Sequence, residues 1–177
     1  MNTGDGPWVN RAIDVLVGCE PRLVVVGPRR DEVVRLLPAG VDVVDNPGHA
    51  EGMGSSLRIG LLALATMLFN DGKPYGPEID AALVMLVDLP GVTPAVVRRV
   101  CAAAGPPEAA RDALARAVFD GVPGHPVLLG RRHWAGVIES ALGDVGARDY
   151  FAAHPPKAVE CADIGSGEDI DTAEPVG

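Results

Sequence analysis

The clearest hydrophobic pattern in the chain is a run of seven apolar residues, Ala81-Ala82-Leu83-Val84-Met85-Leu86-Val87, closed by Asp88. A strand covered on both faces reads this way, because the apolar/polar alternation disappears when neither face meets water. Arg22-Leu23-Val24-Val25-Val26-Gly27 repeats the pattern with a glycine at its turn, and residues 41–44 form a third short strand. Between these runs the period becomes helical. Residues 8–17 read as a helix, 30–37 as a short one stopped by Pro38, and a third reaches 69 with Leu57, Leu61, Leu62, Leu64 and Leu68 on its apolar side. Ser55 or Ser56 is its predicted N-cap. Thr93-Pro94 opens a helix to about residue 104.

The second half continues the alternation. After a polar insertion at 70–78 and a break at 105–108 come a short helix, a strand near 116–119, and a turn leading into Val127-Leu128-Leu129, read as a strand near the sheet edge. Residues 132–142 and 147–154 read as helices, 158–161 as a last strand, and 164–167 lead into Asp169-Ile170-Asp171. Strands alternating with helices predict an α/β fold of three layers, Rossmann-like, with a mostly parallel sheet. No internal repeat breaks it up, so residues 1–177 are expected to form a single domain.

Composition narrows the function classes. A formal net charge of −9, with no run of Lys or Arg, argues against a nucleic-acid partner, since binding a duplex needs a basic face. No apolar stretch reaches 18 residues and no basic-then-apolar leader is present, so neither a membrane partner nor secretion is expected and the location reads as cytoplasmic. Three widely spaced cysteines, Cys19, Cys101 and Cys161, fit buried free thiols rather than a disulfide framework or a zinc site. The four histidines have no ligand spacing, which leaves carboxylates as the candidate metal ligands.

Asp88 stands at the mouth of the apolar run, where α/β sheets bind ligands. It could equally cap the following helix. Asp171 is the second acid, and two hard oxygen ligands from distant segments can share one Mg²⁺. In the Asn46-to-Ser56 loop, Gly52 and Gly54 would let backbone N–H groups approach a ligand while Ser55 and Ser56 offer hydroxyls at a helix start; the loop could also be a helix lead-in only. Gly124-His125-Pro126 reads either as a turn or as a ligand-facing imidazole. Arg148 is either a surface cation or a bidentate phosphate contact.

Taken in order, Asn46-Pro47, Gly52-Met53-Gly54-Ser55-Ser56-Leu57, Asp88-Leu89-Pro90, Gly124-His125-Pro126, Gly143-Asp144-Val145-Gly146-Ala147-Arg148 and Asp169-Ile170-Asp171-Thr172 resemble the molybdenum cofactor nucleotidyltransferases, the cytidylyltransferase branch more than the guanylyltransferase one. The resemblance implies a glycosyltransferase-A-like nucleotidyltransferase fold. It implies transfer of a nucleoside monophosphate, CMP first, from CTP or GTP to molybdopterin, with release of pyrophosphate and Mg²⁺ held by Asp88 and Asp171. Asn46, Gly54, Ser55, Ser56 and Asp88 would meet the nucleotide; Pro90, Gly124, His125, Pro126 and Arg148 would meet the acceptor. A molybdoenzyme or its chaperone would be a further partner.

The resembling family opens with a first strand and a Leu-Ala-Ala-Gly-x-x-x-Arg-Met-Gly-x-x-Lys loop for the triphosphate. No such segment occurs in this sequence, and neither lysine, Lys73 or Lys157, lies in a glycine-rich strand-to-helix turn. Three readings stand: an enzyme whose start lies upstream, a catalytically inactive homologue that binds without turnover, and a nucleotidyltransferase for a sugar phosphate.

Overall fold

In the computed structural model, which describes residues 2–3, 6–66 and 79–169, the strands fall into three ladders. β1 (Asn2–Thr3) and β2 (Gly6–Pro7) form a short antiparallel pair ahead of α1 (Trp8–Asp14). β3 (Arg22–Val26) and β4 (Val41–Asp45) run parallel, connected through α2 (Arg30–Val34). After α3 (Met53–Thr66), a four-stranded sheet is built in the order β5-β7-β6-β8 from β5 (Ala81–Val84), β6 (Leu114–Phe119), β7 (Val122–Gly130) and β8 (Lys157–Glu160).

This sheet is mixed rather than mostly parallel. β6 returns into β7 through Asp120-Gly121, whose φ angles of 51° and 78° are the pair a two-residue type I′ hairpin demands. Such a turn can only make antiparallel strands, since a parallel return needs a crossover of about a dozen residues or more. β7 therefore lies between β5 and β6, not at the sheet edge, while β8 joins β6 in parallel. The pairing steps from Arg116 opposite Val127 to Val118 opposite Pro123, so two residues of β6 span four of β7. Gly124-His125-Pro126 lies in this bulge instead of in a turn.

The bulge also explains why β5 is shorter than its apolar run. Val84 pairs with Val127, and the next partner would be Pro126, which has no N–H to give. The chain leaves the sheet there, and Asp88 sits in a turn four residues beyond the strand.

Apolar residues divide over the two faces of the four-stranded sheet as the pleat requires. On one face, Val96, Val97 and Val100 of α4 (Pro94–Ala102) pack with Leu128, Ala115, Ala117 and Cys161. On the other, Leu61 of α3 and Trp134 and Val137 of α5 (Arg131–Ser140) pack with Ala82, Val127 and Leu129. Helices thus cover both faces, which makes three layers.

β3 and β4 pair with each other, but neither pairs with β5. Among the described residues no strand pairs with the second edge of β3 or of β5. Leu23, Val24 and Val25 line one cavity of about 790 Å³ together with Ala81, Ala82, Leu83 and Val84. Side chains alternate along a strand, so consecutive lining residues mean that the strand edges themselves face the cavity. α1 contributes Val9, Ala12 and Ile13 to its walls and α3 contributes Leu57, Gly60 and Leu61. Because of this opening Val24, Val25 and Leu83 are half-buried instead of fully covered.

Candidate functional site

The Asn46 loop is locked by its own side chains. Asn46 extends the β3/β4 ladder by donating its N–H to Val26 O at 2.8 Å, and its side chain, 2% exposed, donates from Nδ2 to Ser55 Oγ at 2.8 Å and Ser56 Oγ at 2.9 Å. Ser55, 1% exposed, donates onward to Gly52 O at 2.8 Å. α3 begins at Met53, so neither serine is its N-cap; both lie in the first turn. The Met53 N–H is met instead by Asp144 Oδ1 at 3.3 Å, from a segment 91 residues away. Gly52 holds φ at 107°, and a Cβ on Gly54 would come within 2.7 Å of Ala141 O, so both glycines serve the close approach of this turn to residues 141–144. With Ser55 consumed inside the loop, Ser56 is the serine that lines the cavity.

Asp88 lies in the connection from β5 to α4, with Oδ1 buried and, among the described residues, without a hydrogen-bond partner. It does not cap α4. Thr93 does that, accepting from the Val96 N–H at 3.3 Å. Pro90, two residues on, gives its carbonyl to Arg11 Nη2 at 3.0 Å, which ties the segment to α1.

His125 reaches the same end of the sheet from the β7 bulge. Burial above all, and then the Arg116 guanidinium, push its pKa down to about 4 against a smaller opposing pull from Asp88. The imidazole is therefore neutral at neutral pH, and its two charged neighbours are one of each sign. Arg116 bridges the bulge, donating from Nη2 to Gly124 O at 3.3 Å, and stands over the Phe151 ring at 5.8 Å. Arg148 opens α6 (Arg148–Ala153) as an exposed residue on the wall of the same cavity, beside Asp144.

Thus Ser56, His125 and Arg148 share one cavity, and Asp88 acts on His125 from the adjoining turn. Asp171 lies outside the described residues. The stretch leading toward it runs alongside the Asp88 turn: Thr93 Oγ1 donates to Ile164 O at 2.8 Å and Ser166 N–H to Gly91 O at 3.0 Å. Among the described residues no three His, Cys, Asp or Glu side chains converge as a metal cluster.

Sequence reasoning passed over Arg116, although a single cation within Leu114-Ala115-Arg116-Ala117-Val118-Phe119 was a visible signal. It also read all three cysteines as buried free thiols. Cys161 is indeed buried, but the half-buried Cys19 and Cys101 thiols share a hydrogen bond that pulls Cys101 down to about 7 and pushes Cys19 up. Only the fold could join residues so far apart.

Residues 1–159 match the MobA-like NTP transferase domain, and the chain belongs to that family. It is accordingly a nucleotidyltransferase domain whose substrate is a nucleoside triphosphate. Solved structures agree in fold. A Mycobacterium sp. strain JC1 homologue of Mycobacterium tuberculosis Rv0371c has a TM-score of 0.69 at 22% identity, over 96% of this chain and 80% of that one. Rv0371c of M. tuberculosis H37Rv in complex with manganese has a TM-score of 0.69 at 21% identity, over 97% and 85%. No curated protein matches.

Proposed function

We propose that this single domain transfers a nucleoside monophosphate, CMP in the first instance and GMP as the alternative, from the triphosphate to a phosphate of molybdopterin. An acceptor oxygen attacks the α-phosphorus, the bond from that phosphorus to its bridging oxygen breaks, and pyrophosphate leaves with the electron pair. Such a reaction asks for positioning and charge stabilisation rather than a covalent nucleophile.

The observation that carries this reading is the orphaned Asp88 Oδ1, a buried acceptor at the end of a sheet in a family that handles triphosphates. A hard carboxylate oxygen suits a divalent cation, and a similar structure is a manganese complex. Asp88 and Asp171 would hold Mg²⁺; the descent of 161–166 beside the Asp88 turn favours that pairing. When bound, the ion supplies neutralisation of the charge that gathers on the transferring phosphate. Ser56 faces the nucleotide, while the buried Asn46 and Gly54 shape the loop behind it, with Ser55 holding Asn46 in place. Pro90, Gly124, His125 and Arg148 form the acceptor side, with the fully buried Pro126 shaping the bulge behind them; there a neutral imidazole can donate one hydrogen bond without adding charge. A cytoplasmic setting and a molybdoenzyme or its chaperone as recipient complete the proposal.

The facing edges of β3 and β5 support a further part of it, that a strand and a triphosphate loop of the Leu-Ala-Ala-Gly type belong between them. The alternative, a binding homologue without turnover, is favoured by one observation: the sequence places neither Lys73 nor Lys157 in a glycine-rich strand-to-helix segment. Pyrophosphate release from CTP and GTP with loaded acceptor separates the two readings. Turnover is expected once the chain is extended through that strand and loop, and its absence there would favour the binding homologue.

A further inference from the structure

Arg22, Arg58, Arg99 and Arg111 are half-buried arginines, and each faces a carboxylate within 3.2 Å. Arg116 is half-buried too, and among the described residues no carboxylate forms an ion pair with it. Among the described residues its Nε is buried without an acceptor, its hydrogen bond to Gly124 O is long at 3.3 Å, and its Cζ stands 5.8 Å from the Phe151 ring centroid. Burial lowers its affinity for its own proton. A half-buried cation with no anion opposite it, on the wall of a cavity, is a ready partner for an anionic ligand.

The surroundings say which ligand. Arg116 lines the cavity together with His125, Ser56 and Arg148. Phe151, beneath its guanidinium, is three residues from Arg148 on α6, so both cations belong to one end of the cavity. Arg116 pairs with Val127 at the rung beside the β7 bulge and its fork reaches Gly124 O, and a planar fork matches two oxygens of a phosphate.

We propose that Arg116 anchors the phosphomonoester of the acceptor in this cavity, with Arg148 as the second cation at its mouth. Only the owner of the phosphate rests on the nucleotidyl-transfer reading; the anion site stands on the geometry of Arg116.

Thermal unfolding of the whole chain in inorganic phosphate against chloride at matched ionic strength tests the anion site without any turnover. The wild type is expected to gain several degrees in phosphate; Arg116→Met should lose that gain while its Tm in chloride stays equal or rises, and Arg116→Lys should keep part of it. A full phosphate gain in Arg116→Met overturns the proposal. Should that variant not fold, an undiminished gain in Arg116→Lys overturns it equally. In an active, extended form, Arg116→Lys should raise KM for the acceptor at least tenfold with KM for the triphosphate unchanged, and the reverse split would overturn the acceptor assignment. Absence of transfer alongside an intact phosphate gain would fault the transferase reading and leave the anion site standing.

Discussion

Asn46 donates from Nδ2 to the Ser55 hydroxyl at 2.8 Å, and both residues are almost wholly removed from solvent. The relationship is architectural: Ser55 relays the Asn46 contact to Gly52 O and so fixes the turn that delivers α3. Ser55→Ala should therefore lower stability by about 1 kcal/mol, as expected for one buried hydrogen bond, with little change in transfer rate. Ser56→Ala should do the opposite, costing little stability and raising KM for the triphosphate. Urea unfolding together with steady-state kinetics of the extended form checks both.

His125 makes stability depend on pH in a definite window. Its pKa is about 4 in the fold and 6.5 without the fold's influence. Above pH 6.5 neither state binds the proton. Between 6.5 and 4 the unfolded chain takes up a proton that the folded one refuses, so stability falls as pH falls, by about 3 kcal/mol in all. Other groups add their own acid sensitivity, which His125→Gln leaves in place. Urea midpoints at pH 7.5 and 4.5 should show the wild type losing about 2 kcal/mol more than the variant. Equal losses would contradict the burial of a neutral imidazole.

Cys101 should be the most reactive thiol. The hydrogen bond from Cys19 favours its thiolate, whereas Cys19 and the buried Cys161 are pushed up. Timed iodoacetamide labelling at pH 7 with peptide mapping should find Cys101 modified first, and Cys19→Ala, which removes the donor, should slow it. Faster labelling of Cys161 would contradict the arrangement.

Open strand edges invite pairing, and β3 and β5 each present one. The 177-residue chain should associate with rising concentration in sedimentation velocity, and Val24→Lys, which sets a charge beside the edge, should shift it toward monomer. A sharply cooperative monomer at every concentration would show that the cavity between the edges closes in solution.

Much of this architecture was legible from apolar runs and glycines. The α/β alternation, β3, β4 and the helix starts near Trp8 and Pro94 follow from local period, because burial of one face or both is written into consecutive residues. What was not legible depends on partners. Met85 to Val87 are apolar enough for a strand, yet Pro126, 41 residues on, ends the ladder. Asp120-Gly121 was readable as a hairpin signal, and it alone decides that β7 is an interior antiparallel strand. At the site, Asp88 and His125 were recognisable as residue types. The loss of Ser55 to internal hydrogen bonds, the use of Asp144 on a distant helix start, and the charge left open on Arg116 arise only when separate segments meet.

The central claim is metal-assisted transfer at Asp88. Pyrophosphate release should be measured with loaded acceptor and CTP, and with GTP in parallel, in Mg²⁺, in Mn²⁺ and after chelation, on the form extended through the triphosphate loop. Release should require the divalent ion, and Asp88→Asn, which keeps the shape and removes the charge, should cut it by about 100-fold or more without moving Tm by more than a few degrees. A metal-independent rate, or full activity in Asp88→Asn, would contradict the account.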